Sequence, residues 1–200
     1  MLEHKVKGHT VWVIDDLYSN AESLTLLEEC SSLLTTGKLL DPHSSESARF
    51  ADGTLKKSNR AAYIDDYYVD RAASAILTAN RRLFSAALIE KLSEKDILFR
   101  AIGHSTQDRT LVSYYEKADY YAEHYDTATV TALTWLYAEP KRFTGGDLII
   151  EGEQTIPCVH NRTVVMPSFF YHAVSELSMS NKDIGHGLGR FTISQFCILG

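Results

Sequence analysis

Three positions in this chain have the side chains and setting to hold a metal ion. His124 and Asp126 stand two residues apart in YYAEHYD. In an extended strand, residues i and i+2 project from the same face, so both side chains can reach one ion. An imidazole and a carboxylate suit a divalent iron, and two His with one carboxylate on one face leave three coordination positions open. Alone the pair is weak, because a chain with eight His can contain one H-x-D by chance. His172, in MPSFFYHAV, is the best source of a third ligand. It follows a Pro-Ser turn on a short apolar strand, where an all-β fold can lay a late strand beside an earlier one. A hydrogen-bonded core histidine is the alternative there.

Arg190 adds a demand for an anion. The run RFTISQF alternates, so Arg190, Thr192 and Ser194 share one face and Phe191 and Ile193 take the other. A guanidinium directed into a barrel needs a counter-ion, since an unpaired buried charge is costly. A carboxylate gripped in a two-pronged hydrogen bond is its natural partner. An outward-facing surface arginine is the alternative.

The elements that must position these groups fall into two textures. The first half is mainly helical. Thr10 to Ile14 reads as a short strand, and Ser19-x-x-Glu22 as a capping box opening a helix that Gly37 stops. A second helix is expected from Asp70, with apolar positions at helical spacing through Leu92, and Ile64 just before it in a short strand. Residues 41–59 are polar and without period, long enough for a lid or a plain surface loop. From Asp96 on, short apolar or alternating runs are broken by turn residues: ILFRAI, TLVSYY, YYAEHYD, VTALTWLY, DLIIEG, TVVMP, FYHAV and RFTISQFCIL. About eight such strands suggest a sandwich, barrel or jelly roll.

Composition narrows the field. Two hundred residues with 44% hydrophobic and 23% charged content suit one soluble domain, residues 1–200, with helical support over 15–95 and a strand-rich core over about 96–200. A formal charge of −6 gives no field to attract a polyanion, so nucleic acid is not an expected partner. Cys30, Cys158 and Cys197 are too scattered for a disulfide framework and read as buried thiols in a reducing cytosol. No apolar run reaches 18 residues and the amino terminus lacks a signal-peptide core, so a cytoplasmic protein without membrane contact is expected.

Taken in order, His124-x-Asp126, Phe143-x-Gly145-Gly146-x-Leu148, Pro167-Ser168 before His172, and Gly189-Arg190-Phe191 resemble the iron(II)- and 2-oxoglutarate-dependent dioxygenases, most closely the prolyl 4-hydroxylase type. Tyr115 and Tyr121 match that family's tyrosines ahead of the first ligand. The similarity covers roughly residues 108–198, with a weaker echo from Arg60. It implies an α+β, mainly β fold: a double-stranded β-helix (a cupin-like jelly roll) flanked by amino-terminal α-helices. It implies iron(II) held by His124, Asp126 and His172, and 2-oxoglutarate chelating that iron with its far carboxylate on Arg190. Tyr115, Thr134 and Thr192 are implied as further contacts to the co-substrate. Dioxygen would take the remaining iron position, and ascorbate would serve as reductant. The products are succinate, carbon dioxide and a hydroxylated substrate. Asp126 also favours hydroxylation, because related halogenases replace that carboxylate with a small residue.

The resemblance further implies a peptidyl proline as substrate, with Arg60 and Tyr121 as binding residues and Tyr63, Tyr67 and Tyr68 as candidate aromatic walls. Packing at the rim of the core is the alternative for these tyrosines. The same site would serve a free amino acid or another small metabolite, and a non-catalytic jelly-roll binding protein is a third reading. Three departures from the family stand out: Ala118 where a glycine is usual between the tyrosines, Trp135-Leu136-Tyr137 where relatives often have Tyr-Leu-Asn, and a long interval between His172 and Arg190 in which His186 is expected to face solvent.

Overall fold

A computed structural model describes residues 1–44 and 48–200. In chain order the strands are β1 (Leu2–Val6), β2 (His9–Asp15), β3 (Arg60–Tyr63), β4 (Gln107–Tyr115), β5 (Tyr121–His124), β6 (Val130–Leu136), β7 (Phe143–Gly145), β8 (Leu148–Ile150), β9 (Gln154–Ile156), β10 (Arg162–Pro167), β11 (His172–Val174), β12 (Leu177–Met179) and β13 (Arg190–Ile198). The α-helices are α1 (Asn20–Thr35), α2 (Ala75–Ala79) and α3 (Ala86–Ser93).

Seven strands form the major sheet in the order β1-β2-β10-β6-β13-β4-β3. Facing it is a minor sheet, β5-β11-β8-β9, with β12-β7 as a separate pair. Every pairing is antiparallel. The expected mainly-β jelly roll is therefore the fold, with β1, β2 and β3 of the amino-terminal half joining the major sheet.

Both faces of the major sheet are covered. Leu133, Trp135, Val164 and Met166 pack toward the minor sheet with Leu148 and Ile150. Leu136, Phe191 and Ile193 pack on the other face against Leu26, Leu33, Ile76 and Leu77 of the helices. This explains why all seven residues of β6 are buried, and why its sequence runs apolar instead of alternating. Cys30, Cys158 and Cys197 are buried free thiols.

Helix α1 begins as expected. The Ser19 amide donates to Glu22 at 2.8 Å and the Glu22 amide to Ser19 Oγ at 3.3 Å. Two expectations are corrected. ILFRAI is not a strand but part of a 3₁₀ helix, Ile97–His104, that buries Phe99 and Ile102 beneath the sheet. The long helix from Asp70 is broken at Ser74 and Ser85, both in extended conformation. At the first break, Glu29 of α1 accepts from Ser74 Oγ (2.6 Å) and from the Ile76 amide (2.9 Å). A carboxylate from another helix thus satisfies the amides of a new helix start, and the chain restarts there.

Candidate metal centre

His124 closes β5 and His172 opens β11, and the two are direct cross-strand partners. Asp126 lies past the end of β5, so strand periodicity alone does not aim it. Its amide donates to Ser168 O at 3.0 Å, and Thr131 Oγ1 donates to Asp126 Oδ2 at 2.8 Å while also bonding Ser168 Oγ at 2.8 Å. The result is a carboxylate 3.8 Å from His124 Nε2 and 3.6 Å from His172 Nε2. One potential ligand atom from each of the three residues lies within 4.8 Å of the others. His124, Asp126 and His172 would be the residues to hold a divalent ion here, two imidazole nitrogens and one carboxylate oxygen being a donor set that suits iron(II).

Both imidazoles are oriented for this. His124 Nδ1 lies 2.9 Å from Ala122 O and His172 Nδ1 lies 3.0 Å from Phe170 O. A carbonyl accepts only from a protonated nitrogen, which leaves Nε2 of each ring with its lone pair toward the cluster. Burial, reinforced by the proximity of His172, holds the His124 pKa down at about 3. Burial pushes the Asp126 carboxyl up, against His172 and the Thr131 hydroxyl, which pull it down. A divalent cation would favour the carboxylate form. The Tyr121 ring stacks on His124 with centroids 3.6 Å apart and planes at 13°, so it fixes the ligand ring from one side.

The cluster opens into a pocket of about 330 Å³ between the two sheets, at the small end of the ~300–1,000 Å³ found for small-molecule sites. Arg190 forms part of the opposite wall, on β13. It is 1% exposed, donates through Nη1 to Gly146 O, and lies 4.1 Å from the Tyr115 ring centroid. Among the described residues its Nε has no partner and no carboxylate lies within ion-pair distance. Gly146 adopts φ +70°, a left-handed backbone that favours glycine, and even a Cβ there would meet Arg190 Cδ only at an ordinary contact distance of 3.4 Å. Thr192 and Ser194 follow Arg190 on the pocket face of β13, opposite Ser113 and Leu111 of β4. Thr192 Oγ1 is buried without a hydrogen-bond partner among the described residues. The residues present therefore fit a small dianion that reaches from the metal cluster to Arg190.

The structure moves two expected residues out of this pocket. Thr134 sits on the other face of β6, bonded to Thr163 Oγ1 at 2.7 Å, while Leu133 and Trp135 take the pocket side. A reading one residue out of register inverts a strand face. Arg60 is the cross-strand partner of Tyr114, not Tyr115, and so shares the helix-side face. Its guanidinium lies 3.8 Å from Glu116. Tyr63, three residues on and therefore on the opposite face, takes the pocket side with Leu111. Ala118 adopts φ +67°, the left-handed turn that glycine supplies more cheaply, and His186 is exposed.

Three residues absent from the expected set shape the site: Thr131, Ser168 and Lys57. For Thr131 the signal was a hydroxyl inside an apolar strand, which must find a partner, though the sequence does not say which. Lys57 lines the pocket from the polar 41–59 segment, whose sequence left a lid and a plain surface loop both open.

No family model matches the chain, and no curated protein matches it significantly in sequence. Solved structures do. A Pseudomonas putida prolyl-4-hydroxylase superposes with a TM-score of 0.61 at 16% identity, covering 96% of this chain and 94% of that one. A Trichoplax adhaerens prolyl hydroxylase, solved with a peptide fragment of the hypoxia inducible factor oxygen degradation domain, gives 0.63 at 15% identity over 94% and 83%. A 2OG-Fe(II) oxygenase family oxidoreductase from Burkholderia pseudomallei gives 0.58 at 14% identity over 93% and 84%. At such identities the likeness establishes architecture: this chain has the jelly-roll fold of the 2OG-Fe(II) oxygenases, prolyl hydroxylases among them.

Proposed function

We propose that this chain is an iron(II)- and 2-oxoglutarate-dependent oxygenase that hydroxylates a proline within a peptide. The observation that carries the reading is one pocket with two demands: two Nε2 atoms and a carboxylate converging at one wall, and at the other a buried guanidinium with no carboxylate partner among the described residues. In this reading His124, Asp126 and His172 hold the iron, and Arg190 binds the far carboxylate of 2-oxoglutarate. When bound, iron and 2-oxoglutarate together supply the oxidising power, with dioxygen consumed, succinate and carbon dioxide released, and ascorbate as the maintaining reductant.

The chain's own residues bind, orient and exclude water. Thr131 and Ser168 hold Asp126, Tyr121 steadies His124, and Tyr115 packs beneath the guanidinium of Arg190. Leu133, Trp135, Leu148 and Val174 line the pocket with apolar surface, which strengthens the polar contacts inside it. The peptidyl-proline part is supported by the likeness to the two prolyl hydroxylases and by the half-exposed Tyr63 at the pocket. Hydroxylation of a free amino acid uses the same site and is the second reading.

The test is incubation with iron(II), 2-oxoglutarate and ascorbate, reading succinate release and a gain of about 16 mass units in proline-containing peptides. The expected result is both signals, abolished by His172→Ala. Modification of free proline alone would replace the peptide reading with the second one. Absence of succinate with every substrate would favour a binding protein, and full activity of His172→Ala would mean a different third ligand.

A further inference from the structure

Arg190 is not the only buried cation in the pocket. Lys57 is 9% exposed, lines the same cavity, and among the described residues no carboxylate lies within ion-pair distance of it. Lysine is almost never buried without a partner, because its ammonium loses hydration that nothing else replaces. The Tyr121 ring, 5.6 Å from Lys57 Nζ, offsets part of that loss by cation–π attraction, and burial holds the lysine pKa down.

The main chain keeps Lys57 in place. Residues 56–58 lie antiparallel beside β5, with the Ala122 amide donating to Lys56 O at 2.7 Å and the Ser58 amide to Tyr120 O at 3.3 Å. Ser58 Oγ accepts from the Tyr120 amide at 3.0 Å. Lys57 also lines a shallower outer groove with Asp41 and Tyr120, which places it at the mouth. Asp41, the acidic group of that groove, has its Oδ1 accepting from the His43 amide at 2.9 Å.

The two cations belong to different walls. Arg190 is on the major sheet, whereas Lys57 stands beside β5 of the minor sheet, the strand that carries His124. A short dianion held between the metal cluster and Arg190 leaves Lys57 unmatched. We infer that Lys57 receives a carboxylate of the primary substrate. The substrate class is thereby narrowed to carboxylate-bearing molecules: a proline peptide with an acidic neighbour, or an amino acid with a free α-carboxylate. This deepens the oxygenase reading of the site and rests on it.

The test is equilibrium binding to protein loaded with manganese(II) and 2-oxoglutarate under argon, so that no turnover occurs. One arm uses pentapeptides with a central proline and a glutamate at each flanking position in turn, each compared with its glutamine twin. The other compares proline with prolinamide. In at least one arm the acid should bind about tenfold tighter than its neutral twin, the size of a charge-assisted hydrogen bond. Lys57→Met should bring the two within twofold while leaving 2-oxoglutarate affinity unchanged, and Lys57→Arg should retain part of the preference. Lys57→Met is expected to fold, since it removes a buried charge that has no carboxylate partner among the described residues; should it not, the wild-type comparison and Lys57→Arg decide.

Equal binding of acid and amide in both arms would overturn the assignment. So would a preference that survives Lys57→Met, or a loss of 2-oxoglutarate affinity in that variant, which would place Lys57 in the co-substrate site. Failure of the wild-type chain to bind manganese and 2-oxoglutarate at all is a different result. It would overturn the oxygenase reading, and this assignment with it.

Discussion

Replacing Arg190 with methionine should raise the stability of the ligand-free protein and ruin its affinity for 2-oxoglutarate. The opposite signs follow from the surroundings of the guanidinium. It is 1% exposed, has one hydrogen bond to Gly146 O, leaves Nε unpartnered, and has no carboxylate beside it among the described residues. Replacing a buried charge with an apolar side chain of similar length is commonly neutral or stabilising by about 1–4 kcal/mol. Contact with Tyr115 at 4.1 Å and Trp135 at 6.0 Å recovers about 0.5–2 kcal/mol for the arginine. The net expectation is a ligand-free variant about 1 kcal/mol more stable at mid-range, with bounds of roughly 1 kcal/mol less and 3.5 kcal/mol more stable. Losing one partner of a buried charge pair costs about 2–5 kcal/mol of binding, a fall of roughly thirtyfold or more. Thermal unfolding with and without manganese(II) and 2-oxoglutarate reads both effects. At about 100 times the wild-type Kd, ligand adds ~2.7 kcal/mol, a shift of roughly 5–10 °C for a chain of this size. The variant should shift by about 3 °C or less under the same conditions. A destabilised variant with undiminished ligand shift would refute the reasoning and make Arg190 a structural cation.

Further outcomes can be checked independently. Thr131→Val removes the hydroxyl that holds Asp126 Oδ2 at 2.8 Å; iron(II) or manganese(II) affinity, measured by calorimetric titration, should fall about 10–100-fold, and an unchanged value would mean the carboxylate is positioned without it. Ala118→Gly relieves a left-handed φ of +67° that costs ~1–2 kcal/mol for an L-residue. After the added unfolded-state entropy of glycine, the variant should gain about 0.5–1 kcal/mol in urea denaturation, and a loss would show that the turn is not strained. Gly189→Ala would place a Cβ 2.0 Å from Tyr115 O, where β13 meets β4 just ahead of the Arg190–Tyr115 pair. A loss of at least about 2 kcal/mol is expected from the forced separation, together with weaker 2-oxoglutarate binding, and a neutral effect on both would count against a tight strand approach.

Much of the site was legible because its main parts are local patterns. H-x-D, a histidine just beyond a Pro-Ser turn, and an arginine heading an alternating strand each occupy a short stretch, and their order carries the resemblance. The jelly roll was readable for the same reason, from short strands separated by turn residues. What could not be read depended on partners far along the chain. Ile97–Ile102 has the composition of a strand, but its neighbours offer it a place under the sheet as a 3₁₀ helix. Thr131 and Thr134 look alike in VTALTWL, yet one faces Asp126 and the other Thr163, because a strand buried on both faces carries no polar alternation to reveal its register.

By itself, then, the sequence determined which side chains could ligate a metal and bind an anion, since identity and short-range spacing are covalent facts. Only the tertiary structure decided that Asp126 is aimed by Ser168 and Thr131, that Arg60 turns away, and that Lys57 lies buried in the pocket without a counter-ion among the described residues. Burial and pairing are set by distant strands brought within a few ångströms, and no local pattern encodes that distance.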